Sequence, residues 1–375
     1  MKPARARPLT IVADDLTGAC DTGALFAGRA PVPVTVWPRR AVEAAVRVVD
    51  TESRALPADE AAGRVGAVAG RARAGFWFKK IDSTMRGRVG AEIDALLRAT
   101  GTATAVVCPA FPGQGRIVLD RVLLIGGVPV ADTPVADDPQ FPAGTSSVVE
   151  ILRPQLDRAL AWIPIDQMRA GPEALAARLR RLGGTAIVAD AETDADLDAL
   201  VEAALAVTPM PLLVGAAGLA RALAARLGVL AERAELPSGS RWLIVAGSRH
   251  PATRRQLREA RAAGLTVLAT ADRTVESRTD VLARLIEQAV AALARERWDV
   301  VIVTGGETAL ALWAALGAER IDLVGAPAPG LALGHLRVPG REALPLVTKA
   351  GGFGTPDLLV SLAAVRAAAA GEASL

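Results

Sequence analysis

The chain has 375 residues, of which 51% are hydrophobic and 22% charged, so it can bury two cores and its composition is that of a soluble globular protein. The net charge of +3 comes from scattered residues and aromatics make up only 3%, which argues against a nucleic-acid-binding surface. Neither a signal peptide nor a membrane span is expected, because no signal-type hydrophobic region follows MKPARARPLT and no apolar stretch reaches about 18 residues. Cys20 and Cys108 lack metal-site spacing, which predicts a reducing cytoplasm without disulfides or structural zinc.

Strand-like and helix-like patterns alternate through the first part of the chain. The predicted strands are Leu9–Ala13, Val32–Trp37, Ala45–Val49, Phe76–Ile81, Ala105–Cys108, Ala186–Ala189 and Leu212–Val214. The predicted helices include Arg88–Arg98, Pro172–Arg181 and Asp194–Ala206. A segment rich in Pro and Asp that begins at Arg116 predicts a hairpin followed by a long loop.

The alternation restarts after a linker candidate, Gly228–Ser240, and includes a long helix over Asp280–Arg295. Alternation of this kind is typical of parallel sheets covered by helices. The predicted fold class is therefore α/β, with two α/β domains, mainly parallel sheets and an interdomain active-site cleft. The predicted domains cover residues 1–230 and 240–375.

Two adjacent carboxylates, Asp14 and Asp15, follow the first predicted strand in the segment ADDLTGACDTG. Gly18 would let a ligand approach closely. A helix cap by Asp15 or Thr17 is the alternative interpretation, but a cap needs one polar residue. The pair lies where open α/β sheets bind their ligands, and we therefore predict a binding site.

The turn in KKIDSTMRG collects a carboxylate, hydroxyls and a guanidinium between a strand and a helix. We predict that Asp82 and Ser83 contact a small polyhydroxy acid, while Arg86 binds its carboxylate through two nitrogens. Lys79 and Lys80 point to opposite faces of the strand, so only one of them is expected in the site. A capping sequence with a surface arginine is the alternative.

Two other loops also follow predicted strands. Arg54 is a candidate clamp for a carboxylate or phosphate, and an ordinary surface arginine is an equal alternative. Gln114 and Arg116, in the Pro- and Gly-rich segment CPAFPGQGR, are weaker candidates at the same sheet edge.

Three glycine-containing turns follow strands in the second half, in the segments IVAGS, VTGGET and TKAGGFGTP. Backbone amides at such helix starts bind anions, and together the turns predict a nucleotide site. The chain contains no P-loop, no protein-kinase signature and no dinucleotide fingerprint, so this site must be of another kind. With only His250 and His335, neither a Ser-His-Asp set nor a histidine metal site is expected.

Five segments, in order, resemble the four-carbon acid sugar kinase family: IVADDLTGACDTG, KKIDSTMRGRVGAEIDALL, CPAFPGQGR, VTGGETALAL and KAGGFGTPD. They run from residue 11 to residue 357. The resemblance implies an N-terminal sugar-acid-binding domain and a C-terminal nucleotide-binding domain. It also implies ATP-dependent phosphorylation of the 4-hydroxyl of D-threonate, D-erythronate or 3-oxo-tetronate. The chain departs from the family at Arg249 and His250, where small or hydroxylated residues are usual, and at Gly352, where Asn is common.

Residue patterns and resemblance together predict specific roles. Asp15, and after it Asp82, are the candidates for the catalytic base. The predicted acid-sugar site comprises Asp14, Asp15, Arg54, Lys79, Lys80, Asp82, Ser83 and Arg86. The predicted ATP site comprises Ser248, Gly305, Gly306, Glu307, Thr308, Lys349, Gly351 and Gly352. Mg²⁺ is expected with ATP, but its ligands are not identified.

Two other functions stay open on the sequence alone, namely a non-catalytic sugar-acid sensor and an ATP-dependent ligase acting on a small carboxylic acid. The expected partners are small molecules, without nucleic acid or membrane. A homodimer is one option for the assembly, but the sequence does not determine the oligomeric state. The sequence does not determine which four-carbon acid is used.

Overall fold

The computed structural model describes residues 8–72, 75–138, 141, 143–248, 250–270 and 277–363. Their contacts form two compact units. The first contains the residues up to Phe26 and Thr35–Leu230, and the second contains Ala27–Val34 and the residues from Ala231 on. The domain limits 1–230 and 240–375 stay a prediction. They place Ala27–Val34 in the first domain, whereas the contacts place this segment in the second unit.

Strands and helices alternate through residues 8–230. The strands are β1 (Leu9–Ala13), β2 (Val32–Val36), β3 (Val46–Asp50), β4 (Phe76–Lys80), β5 (Ala105–Cys108), β6 (Arg116–Leu119), β7 (Val122–Ile125), β8 (Val128–Pro129), β9 (Leu160–Ile163), β10 (Ala186–Ala189) and β11 (Leu212–Gly215). The helices are α1 (Leu16–Ala24), α2 (Ala58–Arg71), α3 (Val89–Thr100), α4 (Val148–Leu152), α5 (Ile165–Met168), α6 (Pro172–Arg181), α7 (Asp194–Leu205) and α8 (Ala217–Arg226).

Seven strands of the first unit form a parallel sheet in the order β3-β1-β4-β11-β5-β10-β9. Its central strands are continuous apolar runs, and Ile11, Phe78, Val106 and Leu213 are completely buried. Such runs are typical of parallel strands that are covered on both faces. The predicted hairpin is confirmed, since β6, β7 and β8 form a separate antiparallel sheet.

The second unit continues with β12 (Trp242–Ala246), β13 (Thr266–Ala269), β14 (Val300–Thr304), β15 (Arg320–Gly325), β16 (Leu331–Arg337) and β17 (Leu344–Lys349). Its helices include α9 (Pro251–Ala262), α10 (Arg278–Arg295) and α11 (Gly306–Ala315). Strands β13-β12-β14-β17 are parallel, whereas β17, β16, β15 and residues 32–34 of β2 pair antiparallel. The prediction of mainly parallel α/β sheets is thus confirmed, with an antiparallel part that it did not include.

Each unit has a point where the strand order reverses. In the first unit β1 lies between β3 and β4, and in the second β12 lies between β13 and β14. The carboxyl ends of strands at such points form the usual ligand site of open α/β sheets. Among the described residues, no helix combines the length and the apolar character that crossing a bilayer requires.

Candidate functional site

The carboxyl ends of β3, β1 and β4 lie side by side in the first unit. Ala13 is in register with Asp50, and Val12 is in register with Lys79. The loops that follow these strands therefore start at one edge of the sheet, and their side chains meet there. This arrangement brings together carboxylates and arginines from three separate segments of the sequence.

Arg54 connects these loops. Its Nε and Nη2 donate to the two carboxylate oxygens of Asp14 at 2.7 and 2.9 Å, and Nη2 also donates to Asp15 Oδ1 at 2.5 Å. Its Nη1 lies 3.8 Å from Asp82 Oδ1. Burial would raise the pKa of Asp14, but the charge and hydrogen bonds of Arg54 hold that pKa below its usual value. Arg54 is thus the centre of the cluster and not a surface arginine.

Asp82 is bound by Arg86 in a two-pronged ion pair. Arg86 Nε and Nη2 each donate to an Asp82 carboxylate oxygen at 2.9 Å, and Arg86 Nη1 lies 3.4 Å from Asp138 Oδ2. The Thr84 amide and hydroxyl also donate to Asp82. Although burial opposes ionisation, these contacts and Arg54 hold the pKa of Asp82 well below its usual value. Asp82 therefore occupies, in this structure, the two-nitrogen contact of Arg86 that was predicted for a substrate carboxylate.

Asp15 is the N-cap of α1 and the most accessible of the three aspartates. It accepts hydrogen bonds from the Gly18 amide at 3.2 Å and the Thr17 hydroxyl at 2.6 Å. Its side chain is 15% exposed, compared with 3% for Asp14 and 11% for Asp82. The cap interpretation is thus correct for this residue, and the helix start also positions its carboxylate in the cluster; the binding role stays a prediction.

The two lysines of β4 are both buried. Lys79 Nζ forms an ion pair of 2.8 Å with Glu92 of α3, which also accepts from the Ser53 hydroxyl at 2.5 Å. Lys80 Nζ donates to the Ile81 carbonyl at 2.7 Å. A Cβ added to Gly18 would lie 2.9 Å from Lys80 Nζ, so this ammonium is beside the start of α1. Lys79 is therefore paired inside the fold, whereas Lys80 lies beside the start of α1, and the charges of both lysines lower the pKa of Asp14.

Ser83 is half-buried in the turn after β4. Arg116 at the start of β6 is partly buried, and burial lowers its pKa while the charge of Asp82 opposes that effect. Arg116 also donates to the Gln114 carbonyl at 3.4 Å. The charges of Asp82 and Arg116 thus act on each other, which agrees with the expected proximity of this loop to the cluster.

The glycine turns of the second unit follow the adjacent strands β12, β14 and β17. Gly305 has a φ of +98°, a conformation that a residue with a side chain rarely adopts. The Thr308 hydroxyl accepts from the Gly247 amide at 3.2 Å, which ties the first two turns together. The Thr253 hydroxyl donates to the Gly351 carbonyl and so connects α9 to the third turn.

The amino end of α11 begins at Gly306, and the amides of its first turn have no partner within the helix. Such an end attracts anions such as phosphate. Ser248 is half-buried, and a Cβ on Gly351 would lie 2.8 Å from its hydroxyl oxygen. Glu307 is exposed and bound to Arg278 at 2.7 Å, so its carboxylate already has a cationic partner.

Lys349 is wholly buried at the end of β17. Its ammonium donates to the carbonyls of Ala350 at 2.9 Å and Gly351 at 3.5 Å. No carboxylate of the described residues lies within ion-pair distance of it, and burial lowers its pKa to about 8. A buried ammonium without an anion beside the glycine turns fits a phosphate group.

His250 and Gly352 are the two departures from the family pattern that lie within the described residues, and they are next to each other. A Cβ on Gly352 would be 3.2 Å from His250 Nε2, and His250 Nδ1 accepts from the Ala252 amide at the start of α9. The imidazole thus occupies space that a side chain at position 352 would need. Arg249 lies outside the described residues.

Sequence reasoning missed several residues of the first unit. Glu92 lies on a helix, and nothing in the spacing indicates that it reaches Lys79. Asp50 and Glu52 did carry a signal, because they follow the end of β3 as Asp14 follows β1. In the described ranges, no group of three or more His, Cys, Asp or Glu side chains is arranged to hold a metal ion.

Comparison with known proteins agrees with the division of the chain into two units. A sugar-binding N-terminal domain model matches residues 9–223, and a nucleotide-binding C-terminal domain model matches residues 270–359. The chain is 34% identical to a D-threonate kinase of Salmonella typhimurium, over 94% of this chain and 96% of that protein. It is 33% identical to a 3-oxo-tetronate kinase of Methylobacterium radiotolerans, over 93% and 97% of the two chains.

A solved structure from Bordetella bronchiseptica is also similar. It is described as a domain of unknown function with bound citrate, in a domain-swapped dimer. The two chains are 33% identical, the match covers 96% of this chain and 98% of the other, and the TM-score is 0.52.

Proposed function

The chain belongs to the four-carbon acid sugar kinase family, and from that premise we propose that it transfers the terminal phosphate of ATP to the 4-hydroxyl of a four-carbon sugar acid. It is an ATP-dependent phosphotransferase by its family membership. The observation that carries the proposal is the pairing of two sites. An aspartate and arginine cluster lies in the unit with the sugar-binding model. Glycine turns lie in the unit with the nucleotide-binding model, beside a buried lysine that has no carboxylate partner in the described part of the chain.

The first unit supplies the groups that a sugar acid requires. Carboxylates accept hydrogen bonds from hydroxyls, and arginines bind carboxylates through two nitrogens. We assign Asp15 as the base that receives the hydroxyl proton, because it is the most accessible carboxylate of the cluster. Arg86 remains the proposed partner of the substrate carboxylate. To bind it through two nitrogens, Arg86 must release at least one of its bonds to Asp82.

The second unit supplies the phosphate contacts. The amides of the α11 start and the Ser248 hydroxyl donate to phosphate oxygens, and Lys349 contributes a positive charge. We propose that Mg²⁺ reaches the site with the ATP phosphates, where it neutralises their charge. Its protein ligands are not assigned.

The first experiment is a substrate panel. Purified protein with ATP and Mg²⁺ is offered D-threonate, D-erythronate and 3-oxo-tetronate, and ADP release is measured together with the position of the new phosphate. A kinase gives ADP and a 4-phosphate. Release of AMP or an acyl phosphate would indicate the ligase alternative, and binding of a sugar acid without nucleotide turnover would indicate the sensor.

A second experiment places ATP. The φ of Gly305 favours glycine, whereas Gly306 already lies within α11, so Gly306→Val keeps the turn glycine and adds a side chain at the helix start. This variant is expected to lose most ATP affinity by calorimetry and to keep sugar-acid binding. Unchanged ATP affinity would refute the placement of the phosphates.

Assembly and location are further proposals. A homodimer agrees with the dimeric Bordetella bronchiseptica structure, and light scattering of the purified protein tests it. The cytoplasmic location stays a prediction from the sequence, which fractionation of expressing cells can test.

A further inference from the structure

Two acidic residues near Asp15, Asp50 and Glu52, have no predicted role. Asp50 ends β3, is completely buried, and accepts a hydrogen bond from the Glu52 amide to Oδ1 at 2.9 Å. Among the described residues, its Oδ2 has no hydrogen-bond partner. Burial, together with the charge and the side-chain hydrogen bond of Glu52, raises the pKa of Asp50 well above its usual value.

Glu52 is held in an unusual backbone conformation. Its φ is +46°, in the left-handed region that residues with a side chain rarely adopt. Arg64 of α2 fixes this conformation by donating to the carbonyls of Thr51 and Glu52 at 3.0 and 3.1 Å. A strained residue that its surroundings hold in place is a reason to look for a functional role.

The strained turn delivers the Glu52 side chain to the start of α1. Glu52 Oε1 accepts from the Leu16 amide at 3.2 Å, while Asp15 caps the same helix through the Gly18 amide. Two carboxylates thus share one helix end. The charged and titratable groups around Glu52 are Asp50 of β3, Asp15 at α1, and Arg54 in its own loop, with Arg64 of α2 on its carbonyl.

We propose that Glu52 is a positioning residue for the proposed base: by accepting from the Leu16 amide, its side chain fixes the start of α1 that carries Asp15. The inference rests on the proposed function, in which Asp15 receives the hydroxyl proton. The turn that carries this side chain is itself fixed, because Arg64 binds the carbonyls of Thr51 and Glu52 and the Glu52 amide donates to Asp50.

The test compares Glu52→Ala, which removes the acceptor for the Leu16 amide, with Glu52→Gln, which keeps an oxygen for it. Glu52→Ala is expected to lower kcat about 10- to 100-fold while KM for ATP stays unchanged, because a displaced base is less effective. Glu52→Gln is expected to rescue the enzyme, with kcat within about threefold of wild type. Asp59→Ala, which removes an exposed acid of α2, is the matched control and should leave both quantities unchanged.

The outcomes separate the two proposals. A folded Glu52→Ala enzyme with wild-type kcat overturns the inference. A folded Glu52→Gln enzyme that is as slow as Glu52→Ala also overturns it, because the acceptor oxygen would then not matter. If Glu52→Ala does not fold, Glu52→Asp keeps the carboxylate but not the reach to Leu16, and it must then show a reduced kcat with an unchanged KM for ATP. A wild-type kcat in that variant refutes the inference. Failure of the wild-type protein to turn over any sugar acid would instead refute the proposed function.

Discussion

Lys349 is expected to make ATP binding depend on pH between 7 and 9. Burial lowers the pKa of its ammonium from 10.5 to about 8, and no other cause contributes. The nucleotide-free protein therefore loses this charge as the pH rises through 8. A bound phosphate favours the ammonium, so binding above pH 8 must be accompanied by uptake of a proton.

The size of the effect follows from that pKa. Lys349 is about 90% protonated at pH 7 and about 10% protonated at pH 9, so ATP affinity should fall about tenfold between these values. The phosphates of ATP do not produce this change, since phosphate groups titrate near pH 6. At pH 8.5 calorimetry in buffers of different ionisation enthalpy should detect uptake of about 0.8 proton per ATP.

Two substitutions separate charge from structure. Lys349→Arg should bind ATP without pH dependence, because its charge does not titrate in this range. Lys349→Met should bind more weakly at pH 7, by about 10- to 100-fold, and also without pH dependence. Arg341→Met, an exposed loop cation, is the control with normal affinity.

The stability of Lys349→Met provides an independent check. The folded-state pKa is depressed, so the buried ammonium destabilises the fold below pH 8, by about 3 kcal/mol, and this cost disappears as the pH rises from 8 to 10.5. Lys349→Met should therefore melt at a higher temperature than wild type at pH 7 while binding ATP less tightly. Constant ATP affinity from pH 7 to 9, or full affinity in Lys349→Met, would contradict the assignment of Lys349 to the phosphates.

Three further outcomes are expected in the first unit. Asp15→Asn should lower kcat by about 100-fold or more with ATP binding retained, and near-normal turnover would transfer the base role to Asp82. Arg86→Ala should lower kcat/KM for the sugar acid about 10- to 100-fold, and a substrate complex in which Arg86 keeps both bonds to Asp82 would contradict the proposed carboxylate contact. Lys79→Met should destabilise the first unit by about 3–5 kcal/mol in urea unfolding, because it leaves Glu92 buried without its cation; a loss below 1 kcal/mol would show that the pair is dispensable.

The position of the candidate site was readable from the sequence because it depends on topology. Polar residues directly after apolar runs lie at strand ends, and strand ends of a parallel sheet share one edge. That rule applies to Asp14, Asp82 and Gly305, which the structure places at the reversal points of the two sheets. Applied consistently, it would also have found Asp50, which ends a predicted strand in the same way.

Strands with an alternating pattern were harder to find. In β15 buried and half-buried residues alternate from Arg320 to Gly325, whereas the predicted strands are continuous apolar runs. The alternation reflects an antiparallel strand, which needs no crossover helix to reach its neighbour. The prediction from apolar runs therefore omitted β15. It also omitted β16 and the parallel edge strand β9, which do not show this alternation.

The roles of the two strand-end lysines illustrate what sequence cannot resolve. Lys79 and Lys349 both lie at the end of a buried strand next to a polar turn, and sequence reasoning assigned both to ligands. The structure separates them by their partners, since Lys79 faces Glu92 at 2.8 Å and the partners of Lys349 among the described residues are carbonyls. A buried cation with an internal anion is already compensated and contributes to folding, whereas one without an anion is compensated only when a ligand supplies it. The difference is made by one helix residue thirteen positions from Lys79, which no local pattern identifies. Lys349 is for this reason the cation on which nucleotide affinity should depend.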